Sequence, residues 1–420
     1  MTSTMRGEPV PGSPAEADGH SIDESPQPAD GVHLSRRSMI HRLGAGIATV
    51  VVAGIGVGSY RVFDNGVLDA GSGDPYDAWS HWRDDPSPLG AVGAAILAAN
   101  PHNSQPWIFH VTPTGIDLFA DRTRLTGTLD SLGREHHIGL GCALENLVLA
   151  VAARGYRPTV TLLPAPGDPT HVAAVELSPG PVAQSSIHAA IGDRHSNRGP
   201  YTTATIAAGV LEGVAADALD LPGVSVRWFS EPAERTALGA LIIEATDAII
   251  HDEQQSIDSF TWFRNDRDDI DTHMDGLTLD AQGLSPLLLA AAKLLPATKR
   301  SAGDSFWLDQ TRTVHTATAA AYGVVVVADP TDTATQLVGG RLLQRIHLSV
   351  SNLGIALQPM NQITERIDRE AVLGHAATFA GRMDELLARP GEHALTTFRV
   401  GHPVRPGRRS PRRPATDVVR

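Results

Sequence analysis

The stretches "ALENLVLAVAARG" (143–155) and "LLQRIHLSVSNLG" (342–354) place like residues at like positions. Leu144 falls on Leu343, Leu147 on Ile346, Leu149 on Leu348, Val151 on Val350 and Gly155 on Gly354. Each reads as a long buried helix, the first within "REHHIGLGCALENLVLAVAARG" and the second within "GGRLLQRIHLSVSNLGIALQPMNQ", and a glycine stands after the last turn of each. An apolar or extended segment follows both. Buried helices share composition, so the match alone is weak, but each half also carries its own strand pieces. A chain with this repeat folds as two related subdomains, standing where a symmetric dimer would have two subunits.

The strands support that division. "WIFHV" and "GIDLFAD", separated by "TPT", read as a hairpin; "TVTLLP" and "HVAAVELS" read as a second pair across a Pro/Gly-rich loop. Before them "PLGAVGAAILAA" has helical composition, and Asn100-Pro101 ends it, because the residue before a proline avoids the helical region. A helix is expected near 184–192. In the second half "VSVRWF", "YGVVVVAD" and "LTTFRVGHP" read as strands, with helices near 232–252 and 283–295. Between those helices "TWFRNDRDDIDTHMDGLTLD" reads as polar and irregular. Helices mixed with strand pairs make the fold class α+β.

The net charge of -13 argues against a general nucleic-acid binder, and the single cysteine, Cys142, excludes an intrachain disulfide framework. Residues 1–33 are Pro-, Ser- and acid-rich and are expected to be disordered. In 34–61, Arg36 and Arg37 precede a charge-free run from Leu43 to Tyr60. This segment resembles a twin-arginine export signal, and without a clean small-residue cleavage site it is expected to persist as an anchor. Residues 62–80 read as a linker.

Two short segments carry the chemistry. "NPHNSQPW" (100–107) sets Asn103 and Gln105, each able to donate and accept, between two prolines that pre-fix the backbone. Such amides suit the edge of a heteroaromatic ring. "RHSNR" (194–198) sets two arginines and a serine within five residues, a pattern that suits a phosphate through charge-assisted hydrogen bonds.

Together these segments resemble the nitroreductase-like flavoproteins. "AANPHNSQPWIFHV" is similar to that superfamily's His-Asn-Thr-Gln-Pro-Trp signature, and "IGDRHSNRGPY" to its Arg-x-Ser-x-Arg motif, with the order of the two motifs swapped. The swap resembles the Acg-type branch, in which two nitroreductase-like halves are fused into an intramolecular dimer. The resemblance implies a first half over 81–182 and a second over 183–417 with a lid-like insertion near 255–300. It implies FMN as cofactor, one per chain, in a monomer. His102, Asn103, Ser104 and Gln105 would come from the first half, and Arg194, Ser196 and Arg198 from the second. "LGIALQPMNQ" is similar to the stretch that faces the flavin's hydride-accepting nitrogen, which points to Pro359, Met360 and Asn361, and "RRSPRRP" to the tail that sends Arg412 back to the phosphate. The activity implied is hydride transfer through the flavin to a small organic acceptor such as a nitroaromatic or quinone, with NAD(P)H the usual reductant. The alternative is an FMN-sequestering or storage protein with little turnover.

Other residues offer less. His136 and His137 are adjacent and cannot face one ligand as an i, i+4 pair would, and Cys142 lies in an apolar helix. Neither a nucleophile elbow nor a Walker-type loop occurs in the sequence.

Overall fold

The computed structural model describes residues 70–216, 220–295 and 299–420. The expected disordered tail (1–33), the twin-arginine segment (34–61) and residues 62–69 of the expected linker (62–80) lie outside the described residues.

The first half opens with helix α1 (Pro88–Ala95), followed by β1 (Trp107–Thr112), β2 (Gly115–Ala120), helix α2 (Arg134–Ala153), β3 (Tyr156–Leu162) and β4 (His171–Pro179). Its strands form one antiparallel sheet in the order β1-β2-β4-β3. In the second half β5 (Val224–Phe229) leads into a long insertion. The insertion holds α3 (Pro232–His251), α4 (Glu253–Thr261), the two-residue strands β6 (Phe263–Arg264) and β7 (Leu277–Thr278), α5 (Pro286–Leu294) and α6 (Arg300–Gln310). Next come β8 (Ala321–Val327), α7 (Thr333–Asn352), β9 (Ala356–Pro359), α8 (Gln362–Leu373), α9 (Thr378–Leu387) and β10 (His393–Gly401). This sheet is also antiparallel, in the order β5-β8-β10-β9. Both sheets therefore follow one plan: first strand, second strand, fourth, third, with a long helix after the second. The turn between β1 and β2 is a two-residue connection; its counterpart in the second half is the whole insertion.

The repeated helices are α2 and α7. Both are twenty residues long, and they pack directly against each other. At their crossing an added Cβ on Gly141 would sit 2.1 Å from the Leu337 carbonyl and 2.9 Å from the Gly340 Cα. One on Gly340 would sit 2.1 Å from the Ile138 carbonyl and 2.9 Å from the Gly141 Cα. Gly141 and Gly340 occupy equivalent positions in the repeat, as do Ile138 and Leu337. The contact is thus self-complementary, like a two-fold dimer interface folded into one chain. Around it Gln344 Nε2 donates to Asn146 Oδ1 (2.8 Å), and Arg341 Nε to Glu145 Oε2 (2.8 Å). Gly155 and Gly354, after the two helices, both adopt positive φ (85° and 71°), as a helix-terminating glycine does. Among the described residues α2 is long and apolar enough to cross a membrane, but 72% of its most apolar window is buried inside the protein, as expected of a core helix.

One face of each sheet packs on this helix pair, placing Leu118, Val175, Leu144, Val325, Leu343, Ile346 and Val400 in one cluster. β8 is buried on both faces, so its Val-rich run is continuous rather than alternating. Its other face, with Val324 and Val326, packs on α3, α8 and α9 through Leu241, Ile363 and Met383. The chain between the halves pairs Ser196 with Leu357 on β9, and after β10 the tail returns to the first half, where Val419 bridges to Phe109 on β1.

The stretch expected to be irregular is more ordered than its composition indicates. β6 and β7 pair in parallel, and a short helix spans Arg267–His273, started by the Asp266 carboxylate accepting from Asp269 N (2.9 Å). Helices α4, α6, α8 and α9 had no counterpart in the sequence reading. α8 buries many polar or charged residues (Gln362, Glu365, Arg366, Asp368, Glu370), and its apolar stripe is short, with Ile363 and Ile367 four residues apart.

Candidate functional site

A cavity of about 420 Å³ lies where the two halves and the insertion meet, a size typical of small-molecule and cofactor sites. The first half supplies Pro101, His102, Glu135 and Ile138, and the second half Ser196, Arg198, Gln358, Pro359 and Asn361. The insertion closes it with aromatic and aliphatic side chains, among them Phe260, Phe263, Leu288, Phe306 and Trp307.

The double-proline segment is held in an unusual backbone. His102, Asn103 and Gln105 all have positive φ (48°, 54° and 53°), a region non-glycine residues rarely occupy. Such conformations persist only where the surroundings over-determine them. Here Asn100 Oδ1 accepts from Gln105 N (2.8 Å), Asn103 Nδ2 donates to the Pro411 carbonyl (2.9 Å), and Asn103 Oδ1 accepts from Arg412. Gln105 Nε2 donates to the Met274 carbonyl (2.8 Å), and its Oε1 accepts from Arg413 N (2.9 Å). The abundance of amides between the prolines thus has a structural use: they knot the first half to the tail and to the insertion. Asn103 and Gln105 lie behind the cavity wall instead of presenting their amides to it. Ser104 is fully buried, and its hydroxyl has no partner. His102 does line the cavity, 3.3 Å from the Ser259 hydroxyl through Nε2. Burial, then the Arg198 charge, pushes its pKa down to about 4, so it is neutral near pH 7.

The arginines form two groups. Arg198 lines the cavity, and its Nη1 makes a long hydrogen bond to the Ala281 carbonyl (3.4 Å). Arg194 and Arg412 lie deeper, 2% and 3% exposed, with their guanidinium carbons 5.7 and 4.9 Å from the Trp79 ring centroid. Arg194 donates to the Leu97 carbonyl (2.8 Å) and Arg412 to the Ala98 carbonyl (3.2 Å), while Nε of each has no partner. Among the described residues no carboxylate pairs with Arg194, Arg198 or Arg412. Burial lowers the pKa of Arg194 and of Arg198 to about 10, and lowers that of Arg412 well below its usual value. Buried cations without counter-ions are costly, and an anion offsets that cost. His195, pushed down to about 3 by burial and by Arg194 and Arg412, adds no charge of its own.

Pro359 and Asn361 line the cavity, whereas Met360 turns away into the second core cluster, because neighbouring residues at the end of β9 point to opposite sides. Of the eleven expected site residues, the wall therefore gathers His102, Ser196, Arg198, Pro359 and Asn361. Asn103, Ser104, Gln105, Arg194 and Arg412 form a polar layer behind it. Sequence reasoning missed Glu135 and Glu365 on the same wall, Trp79 beneath the arginines, and Asp275. Asp275 pairs with Arg124 of the first half and with Arg264 of the insertion, and so fastens the insertion in place. Nothing local marks any of the four: Glu135 itself stands in the polar first turn of α2, beside Arg134, His136 and His137. Among the described residues no group of His, Cys, Asp or Glu side chains is arranged to hold a metal ion.

No family model matches the chain. It is similar to "Putative NAD(P)H nitroreductase acg" of Mycobacterium tuberculosis, with 38% identity over 89 residues, 21% of this chain and 27% of that protein. It is also similar to a second protein of that organism named as a putative NAD(P)H nitroreductase, with 30% identity over 141 residues, 33% of this chain and 41% of that protein. The chain thus spans about a quarter to two fifths of the curated relatives it matches. Among solved structures, nitroreductase A from Vibrio parahaemolyticus aligns at 16% identity over 57% of this chain and 76% of its own, with a TM-score of 0.32. The FMN- and NADPH-dependent nitroreductase NfnB from Sphigopyxis sp. strain HMH aligns at 16% identity over 56% of this chain and 98% of its own, with a TM-score of 0.37.

Proposed function

We propose that this protein is an FMN-dependent oxidoreductase that reduces a small organic acceptor, a nitroaromatic or a quinone, with NAD(P)H as the electron donor. The observation that carries the reading is a set of arginines, two buried and one half-buried, with no carboxylate partners among the described residues, beside a largely apolar cavity. Arg198 and Ser196 stand on the wall, and Arg194 and Arg412 stand behind it. That donor set fits a phosphate, and the cavity's volume and apolar lining fit a flat ring system. The local likeness to proteins named as NAD(P)H nitroreductases supports the same choice.

In this reading Arg198 and Ser196 hold the phosphate, with Arg194 and Arg412 supplying further positive potential. His102, Pro359 and Asn361 border the ring. Bound flavin supplies the hydride chemistry; the protein's own residues bind, orient and exclude water. Neutral His102 can accept or donate one hydrogen bond without adding charge. Because the arginine motif occurs only in the second half, the chain binds one flavin and acts as a monomer, each half standing in for a subunit. The Arg36-Arg37 segment supports export by the twin-arginine route, with 43–60 as an anchor; a folded, cofactor-loaded protein is the cargo that route carries.

One observation favours a second reading, flavin storage. The insertion covers the cavity with Phe260, Phe263, Phe306 and Trp307 and is fastened by Asp275, which would slow exchange. Anaerobic stopped-flow mixing with NADPH and with NADH separates the two. The oxidoreductase reading expects the flavin absorbance to bleach with at least one of them and to return on adding a quinone. Flavin that neither bleaches nor exchanges with added FMN supports storage and defeats turnover.

A further inference from the structure

Helix α5 is built inside out. Ser285 opens it, its hydroxyl accepting from Leu288 N (3.3 Å), and Pro286 takes the first position, where a missing N–H costs nothing. In "PLLLAAAKL" every residue but one is apolar, and that one, Lys293, is buried and paired with Asp280 (2.7 Å). Leu289 shares the buried side. Outward stand Leu287, 77% exposed, and Leu288, with Leu295 just past the last turn, 59% exposed. A helix on a water-facing surface turns its charges out and its leucines in. This one does the reverse, so its outer face suits an apolar surrounding.

That face continues into the mouth of the cavity. Leu288 and Ala292 of α5 line the cavity, as do Gly303, Phe306 and Trp307 of α6. Among the described residues that line it, only Leu288 and Phe306 are exposed, so these two mark the rim, and the rim is apolar. The chain before Ala70 points to what covers this face. Arg408 Nη1 donates to the Ala70 carbonyl (3.2 Å), and Arg408 lines a second cavity, of about 300 Å³, with Leu284 and Pro286 at the start of α5. The described chain therefore begins on the α5 side of the fold. The charge-free run 43–60, expected to be an anchor, ends ten residues before Ala70, a span of at most about 35 Å when extended. A bilayer that takes up the run is within reach of the α5 face.

We propose that the outer face of α5, with Leu295 and Phe306, docks on a lipid bilayer, and that the cavity mouth between α5 and α6 admits a lipid-soluble quinone from it. The choice of a quinone rests on the proposed function; the docking does not. In that activity the quinone gains two electrons and one proton, as a hydride from NAD(P)H, and a second proton from water, and it leaves as the hydroquinone.

Cys142 is the single cysteine and is buried, so in Leu287→Cys a polarity-sensitive thiol dye reacts at position 287. With the full chain in phosphatidylcholine vesicles, the dye emission should shift to the blue and be quenched by lipids brominated on their acyl chains. Val182→Cys is the control. Val182 is exposed and lies beside Gly155, at the far end of α2 from the cavity, about 30 Å along the helix, and its dye should stay in water. The Leu287→Asp/Leu295→Asp double variant should slow reduction of a long-tailed quinone held in the vesicles by about tenfold and leave that of a short water-soluble quinone unchanged. A dye at 287 that stays aqueous in vesicles overturns the docking. So does shielding that needs no vesicles and grows with protein concentration, which gives the face to a second copy of the chain. Equal slowing of both quinones overturns the entry route. A shielded dye on a folded protein that binds no FMN defeats the proposed function alone, and a quinone-reducing flavoprotein with an aqueous dye defeats the docking alone.

Discussion

Gly340→Val leaves little folded protein. The first atom of the new side chain would lie 2.1 Å from the Ile138 carbonyl, a backbone atom in the core helix α2 that cannot swing aside. Relief requires α2 and α7 to separate, which would also strain the Arg341–Glu145 and Gln344–Asn146 bonds around the crossing. Overpacking of a flexible core costs about 1–3 kcal/mol. A clash against backbone exceeds that range and consumes much of the roughly 5–15 kcal/mol that keeps a domain folded. Gly141→Val is expected to match it, because its Cβ meets the Leu337 carbonyl at the same distance. Gly381→Ala is the control: nothing lies within 4 Å of its Cβ, and alanine in α9 should hold or raise stability. Thermal unfolding followed by circular dichroism checks all three. A Gly340→Val protein that melts with the wild type would mean that the halves are not joined at this crossing.

Arg198→Ala is expected to weaken FMN binding by about 1.5–3 kcal/mol, the range for a hydrogen bond to a charged group. That is a loss of roughly 10- to 150-fold in affinity. The flavin-free protein should melt at or above the wild-type temperature, because a half-buried cation without a carboxylate partner costs stability. Binding and stability therefore move in opposite directions, which separates lost phosphate contact from general damage. Fluorescence titration with FMN, paired with melting of the flavin-free protein, reads both. Unchanged affinity would remove Arg198 from the site.

The repeat was legible in the sequence because buried helices and Val-rich strands keep their apolar positions. Leu144, Leu147 and Val151 face the same core as Leu343, Ile346 and Val350. The crossing of the two helices was not legible, since a glycine inside a helix does not reveal what approaches it. The arginines of 194–198 raised the expectation of an anion site through composition alone. What their neighbours do was hidden, because Arg412, Asn103 and Ala98 meet only through folding. For the same reason Asn103 and Gln105 looked free to read a ligand, while the structure commits them to the tail and the insertion. Glu135 and Glu365 are far apart in sequence, and no local pattern places both on one cavity wall.

The central claim is that one flavin sits where the two halves meet, and the direct test is the FMN content of the purified full chain. Protein saturated with FMN, freed of excess and then denatured should release close to one FMN per chain. Release of two, or of none from a correctly folded protein, would contradict the account.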